Sequence, residues 1–321
     1  MKYTHLQNAN VDVSCLASGT WAIGGQNYGD VNREESIKAI RAMIDNGVNL
    51  IDTAPVYGNG YAEQLVGEAL QNGYREKVLI STKFGLAGNY LKPYKKDASF
   101  ANAMREVLSS LRNLKTDYID FYFVHWPDDN TPIEETMNAL NILKKKGAIR
   151  YIGLSNFNKE QVEEAMKYAK IDVIQPLFSM VDQKNVELMQ WCNEQGIDSF
   201  TYGSMGAGIL TGKYRSKPDF PSNDLRWHFY DYYNEPVFSK IQLLLNEMDK
   251  IAEKRGVPLS QIALNWSAKQ NYVATCLVGA STTAHAIENC ESFNWELTDE
   301  EKEMIDKKLS ELEFGGKLLC W

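Results

Sequence analysis

Three ionisable side chains stand at or near the ends of three successive short apolar runs: Asp52 in residues 49–54, Lys83 in 78–84 and His125 in 118–125. An ammonium among Ile80 and Phe84 is costly to desolvate without a counter-ion, and Asp52 is the natural one. Tyr57 follows Asp52 by five residues, in the turn Pro55-Val56-Tyr57-Gly58-Asn59-Gly60. An unperturbed phenol, with a pKa of ~10, is a poor acid at neutral pH, but a nearby cation stabilises the phenolate and lowers that value. Asp52, Lys83 and Tyr57 thus form a candidate proton donor, and a neutral His125 can hydrogen-bond the oxygen that receives the proton. Taken singly, each has a structural reading as a salt bridge, an interface tyrosine or an ordinary histidine; four together at consecutive strand ends point to chemistry.

Strand ends converge only if the strands do. Eight runs read as strands, at 14–19, 49–54, 78–84, 118–125, 149–156, 171–176, 196–203 and 274–280. Most are continuously apolar, as suits parallel strands buried on both faces. Between the fourth and fifth runs, Thr131, Pro132 and Glu134 fit N-cap, N1 and N3 of a helix whose apolar face is Ile133, Met137, Leu140 and Leu143. Lys144-Lys145-Lys146-Gly147 ends it, with cations at the negative pole and a glycine for the left-handed turn. Asn158 and Gln161 open another helix, with Val162, Ala165, Met166 and Ala169 on one face. Eight such units predict an α/β fold, a (β/α)8 TIM barrel. Residues 2–13 are expected to form an N-terminal β-hairpin closing the barrel bottom. Residues 204–273, after the seventh strand, read as an extended loop at the catalytic face, a candidate lid. No linker is visible, so residues 1–321 are expected to form one domain.

The 321 residues carry 34 Lys+Arg against 42 Asp+Glu, a formal charge of −8, which argues against a nucleic-acid partner. No apolar signal segment or membrane-length run is present, so a cytoplasmic protein is expected. Cys15, Cys192, Cys276, Cys290 and Cys320 form no Cys-x-x-Cys pair, and His5, His125, His228 and His285 lack metal-site spacing. No metal is expected.

The segments Asp52-Thr53-Ala54-x-x-Tyr57-Gly58, Ser81-Thr82-Lys83 and Asp120 through His125-Trp126-Pro127-Asp128 resemble the aldo-keto reductases. So do Gly147-Ala148-Ile149-Arg150-Tyr151-Ile152-Gly153-Leu154-Ser155-Asn156-Phe157 and Gly208-Ile209-Leu210-Thr211-Gly212-Lys213, and the resemblance covers nearly the whole chain in order. It implies a barrel that binds NADP(H) or NAD(H) in extended form and reduces carbonyls without metal. Tyr57 would be general acid/base, Lys83 and Asp52 its tuning pair, and His125 the carbonyl orienter. Ser155, Asn156 and Gln175 match residues that hold the nicotinamide carboxamide, and Tyr202 matches the aromatic that stacks on the ring. Gly19, Thr20, Trp21 and Asp52 are expected to complete that end of the cofactor site.

For the pyrophosphate, the loop Gly203-Ser204-Met205-Gly206-Ala207-Gly208 offers unencumbered backbone NH groups, with Lys213 beyond it. Gly279-Ala280-Ser281-Thr282-Thr283 opens a helix whose N-terminus suits a phosphate, although ordinary capping would use the same residues. Glu288 and Asn289 match adenine contacts. Where many NADP-preferring relatives place Lys or Arg, this chain has Ala280, Ser281 and His285. NADP(H) is the family default, and NAD(H) or dual use stands open.

Candidate substrate walls are Trp21, Tyr28, Tyr57, Phe84, His125 and Trp126, with the aromatic run 226–233 and Trp227 within it. Such faces suit sugar rings or flat carbonyl compounds, though each residue could equally pack the lid or a subunit contact. The leading expectation is an NAD(P)(H)-dependent oxidoreductase interconverting an aldehyde or ketone, sugar- or polyol-like compounds among the candidates, and its alcohol. One alternative is a cofactor-binding regulatory subunit resembling potassium-channel β-subunits, with little turnover. A second is a barrel glycosidase pairing Asp52 with Glu63 or Asp128, which the cation beside Asp52 opposes. Monomer and homo-oligomer are equally compatible with the sequence.

Overall fold

The computed structural model describes residues 1–25, 31–89, 92–220, 224, 226–227 and 230–314. In chain order, β1 (Tyr3–Leu6) and β2 (Val11–Ser14) pair antiparallel, and β3 (Leu16–Gly19) starts the barrel. Then come α1 (Arg33–Asp45), β4 (Leu50–Asp52), α2 (Tyr61–Ala69) and β5 (Leu79–Phe84). An antiparallel pair follows, β6 (Leu86–Asn89) with β7 (Lys92–Lys96), and then α3 (Phe100–Leu114) and β8 (Ile119–Val124). The chain continues through α4 (Ile133–Lys145), β9 (Ile149–Ser155), α5 (Lys159–Met166), β10 (Val173–Gln175), α6 (Val186–Glu194) and β11 (Asp198–Tyr202). It ends with α7 (Val237–Arg255), α8 (Leu259–Ala268), β12 (Thr275–Gly279), α9 (Thr283–Glu291) and α10 (Asp299–Leu312).

The strands close in the order β10-β11-β12-β3-β4-β5-β8-β9, all neighbours parallel. This is the expected (β/α)8 barrel, with each of the eight sequence runs supplying one strand.

Strand alternation decides which side chains meet inside. Phe121, Phe123, Leu50, Val173, Phe200 and Leu277 fill the interior, whereas Ile80, Phe84, Tyr122, Val124 and Ile152 join the core between strands and helices. Leu79 packs with the interior set, so Ser81 and Lys83, two and four residues on, share its inward side. By the same alternation Asp52 follows Leu50 and His125 follows Phe123. Gly153 exists for this packing: a Cβ there would lie 2.3 Å from the Phe123 ring. Leu6, Ala9 and Val13 of the first hairpin join the interior cluster and close the end where the strands begin, as the sequence predicts.

Two local readings need correction. The N-cap of α4 is Pro132 rather than Thr131, because the Thr131 hydroxyl donates to Asp128 at 2.7 Å instead of capping. The capping box of Asn158 and Gln161 forms as expected, with Val162 and Ala165 buried, but Met166 is exposed at the last position of α5. The β6–β7 hairpin was not expected at all.

Cys15, Cys192, Cys276 and Cys290 are free thiols, and burial pushes those of Cys192 and Cys276 up to about 12; Cys320 lies outside the described residues. No helix among the described residues is long and apolar enough to cross a membrane.

Candidate active site

At the barrel mouth the Lys83 ammonium, wholly buried, donates to Asp52 Oδ2 at 2.7 Å and to the Thr53 carbonyl at 2.9 Å. It reaches the Tyr57 hydroxyl at 3.5 Å, the outer edge of hydrogen-bond distance. Asp52 Oδ1 accepts from Ser81 Oγ at 2.7 Å and from Gln175 Nε2 at 2.9 Å, so both carboxylate oxygens are satisfied without water. Tyr57 is delivered by the turn after β4. Gly58, at φ +66, sits where a Cβ would meet the Gly24 carbonyl oxygen at 2.2 Å, so only glycine lets this turn close on the Trp21–Gly24 segment. The Tyr57 ring stacks on Trp21 at 6.2 Å and meets His125 edge-on at 6.0 Å.

Electrostatics follow from burial. Desolvation pulls the Lys83 ammonium below its usual range while Asp52 opposes it. Desolvation, and then the Lys83 charge, hold His125 well below the ordinary imidazole value, so this ring is neutral at neutral pH. The site therefore presents a cation, a phenol and a neutral imidazole within one opening.

That opening is a cavity of about 470 Å³, a size suited to small ligands. Its lining includes Asp52, Tyr57, His125 and Trp126 with Trp21, Thr20 and Gly19, and also Ser155, Asn156, Gln175 and Tyr202. Gly203, Ser204, Met205, Gly208, Gly279 and His285 line it as well, Gly279 of β12 lying beside Gly19 of β3. Asn156 ties these parts together from a left-handed backbone, φ +63. Its amide donates to the His125 carbonyl at 3.0 Å and to Ser155 Oγ at 3.1 Å, while Oδ1 accepts from the Tyr202 hydroxyl at 2.8 Å. Asparagine tolerates this conformation better than most residues, and a strained residue fixed by three hydrogen bonds is what functional sites retain.

Other expected site residues lie elsewhere. Phe84 does not line the cavity: next to inward-facing Lys83 on β5, it points outward and stacks on Tyr122 at 5.1 Å. Trp227 packs on Phe220 and Tyr233 instead, its indole NH donating to the Phe220 carbonyl. Lys213 and Ser281 are exposed and outside the lining, and Glu288 accepts from Ser260 Oγ at 2.8 Å. Asn289 is buried with its amide toward the Gly279 carbonyl at 3.4 Å, and the Thr283 backbone NH donates to Glu35 at 2.7 Å. Tyr28, His228 and Phe229 lie outside the described residues.

Sequence reading missed Leu86 and Tyr94 of the β6–β7 hairpin, which line the cavity; of the expected run 226–233, Arg226 and Tyr230 line it. The Arg226 guanidinium donates two hydrogen bonds to Asp224 and one to the Tyr214 hydroxyl. Among the described residues no second carboxylate joins Asp52 in the cavity lining. Glu63 is buried outside the barrel interior against Thr82 and Asn113, and Asp128 caps Ala98, Asn130 and Thr131. Asp52 is thus the one carboxylate lining the cavity among the described residues. No three His, Cys, Asp or Glu among the described residues are grouped as a metal site.

The model of the Aldo/keto reductase family matches residues 15–310. The NADH-specific methylglyoxal reductase of Escherichia coli is 32% identical, covering 98% of this chain and 100% of that one. A probable voltage-gated potassium channel subunit beta of Arabidopsis thaliana is 33% identical over 92% of each chain. The structure of a glycerol dehydrogenase from Gluconobacter oxydans superimposes with a TM-score of 0.88, at 34% identity, over 98% of this chain and 96% of that one. With its closed barrel and a family match spanning nearly all of its length, the chain belongs to the aldo-keto reductase family and is an oxidoreductase.

Proposed function

We propose that this chain interconverts a small aldehyde or ketone and the corresponding alcohol with NADP(H) or NAD(H), Tyr57 serving as general acid/base. The contact between the buried Lys83 ammonium and the Tyr57 hydroxyl carries this reading. Catalytic contacts in a ligand-free site are commonly long and tighten once substrate is present, so 3.5 Å is compatible with the role.

The lining fits a dinucleotide. The Asn156 and Gln175 amides and the Ser155 hydroxyl line the same cavity as Tyr57, and the buried Ser204 hydroxyl, at the start of the glycine-rich loop, has no hydrogen-bond partner. Ser155, Asn156 and Gln175 would hold the carboxamide, with Tyr202 under the ring. Gly203, Ser204, Met205 and Gly208 would face the pyrophosphate, and Gly279 and His285 the adenosine half. When bound, the nicotinamide supplies or accepts the hydride. Lys83 favours the phenolate and makes Tyr57 a better proton donor to the carbonyl oxygen, while Asp52 keeps Lys83 charged. Neutral His125 donates a hydrogen bond to the same oxygen and orients it. In the oxidative direction Tyr57 takes the alcohol proton.

Trp21, Trp126 and Tyr94 give the substrate end aromatic walls, and the relatives named for glycerol and methylglyoxal support a small oxygenated substrate. The reading takes residues 1–321 as one catalytic unit. A regulatory role is the second reading, favoured by the potassium-channel relative. Mixing the protein with NADH or NADPH and a panel of small aldehydes, ketones and polyols separates them. Many turnovers per protein support the enzyme; cofactor binding with at most one slow turnover supports the regulator.

A further inference from the structure

The cavity has one reactive end, at Tyr57 and His125, so the nicotinamide half of a dinucleotide belongs there. Among the remaining lining residues, Val278 and Gly279 end β12 and His285 belongs to α9, so the start of α9 is the part of the wall assigned to the adenosine half. There α9 begins. Thr282 caps it, its hydroxyl accepting from the His285 backbone NH at 3.2 Å. The Thr283 backbone NH points at a protein anion: it donates to Glu35 Oε1 at 2.7 Å.

Glu35 is half-buried in the first turn of α1, where its own NH is capped by Asn32 at 3.0 Å. Its carboxylate therefore lies between the positive poles of two helices, α1 and α9, both of which favour a negative charge. The hydrogen bond from Thr283 holds this carboxyl below its ordinary range. Residues 279–289 contain no lysine or arginine to compensate an additional anion.

We propose that Glu35 is a cofactor-specificity residue: its carboxylate occupies the anion seat at the start of α9 and disfavours a ribose 2′-phosphate, setting the site toward NAD(H). A phosphate arriving there must displace the carboxylate from Thr283 or sit beside it, and either route weakens NADP(H) relative to NAD(H). The inference rests on the reading that the cavity holds a dinucleotide with its adenosine at α9.

Calorimetric titration of the cofactor-free protein with ADP and with 2′,5′-ADP isolates the phosphate without any reaction. The wild type should bind ADP at least as tightly as 2′,5′-ADP. In Glu35→Gln, which keeps an oxygen for Thr283 but loses the charge, 2′,5′-ADP should gain about tenfold over ADP, the scale of one charge at a helix terminus. Glu35→Ala should shift the ratio the same way, and melting curves establish that each variant folds; if the alanine variant does not, the glutamine variant decides. An unchanged ratio, or tighter wild-type binding of 2′,5′-ADP that Glu35→Gln weakens, overturns the role of Glu35. If the wild type binds neither probe, the dinucleotide reading itself fails and the inference falls with it.

Discussion

The ammonium of Lys83 lies 2.7 Å from Asp52 Oδ2 with both side chains buried. Removing one partner strands a desolvated charge, so Asp52→Asn should lose ~3–5 kcal/mol of unfolding free energy. The double variant Asp52→Asn, Lys83→Met should regain most of that loss while remaining inactive. Denaturant unfolding of the two single variants and the double closes the cycle; simply additive losses would mean that the pair is not coupled.

His125 is held neutral by burial and by the Lys83 charge. Between its depressed folded value and the ordinary 6.5, the unfolded chain binds a proton that the folded chain does not. Stability must therefore fall as pH drops through this window. His125→Gln should flatten that part of the stability curve, and NMR of the wild-type imidazole should show no protonation at pH 6.5. An imidazole titrating at its ordinary value would refute the assignment.

Gly153 lies where any β-carbon would enter the Phe123 ring. Gly153→Ala should cost about 1–3 kcal/mol through overpacking, and Phe123→Leu should restore part of it by making room. Thermal unfolding of both variants tests this; an unaffected Gly153→Ala melting point would show that the ring moves freely.

Much of this was legible in the sequence because apolar runs and period-two alternation carry it. Leu79, Ser81 and Lys83 share one side of β5, and Asp52 of β4 and His125 directly after β8 follow the same alternation, so with Tyr57 four site residues meet although scattered over 74 positions. The same alternation, applied one residue further, excludes Phe84 from the cavity. The β6–β7 hairpin escaped notice because Leu86-Ala87-Gly88-Asn89 has neither alternation nor β-branched residues. In the aromatic run, Arg226 and Tyr230 line the cavity while Trp227 packs on Phe220, a choice made by tertiary packing that composition does not encode. Glu35 gave no signal either, since its partner Thr283 lies 248 residues away and meets it only once the barrel closes.

The most direct test of the proposed chemistry is Tyr57→Phe, which removes one oxygen and leaves the ring against Trp21 and His125. Titration with NADH or NADPH by tryptophan quenching should be unchanged, while steady-state carbonyl reduction should fall roughly a hundred- to ten-thousandfold, the range for loss of a general acid. Turnover retained at the wild-type rate would contradict the account.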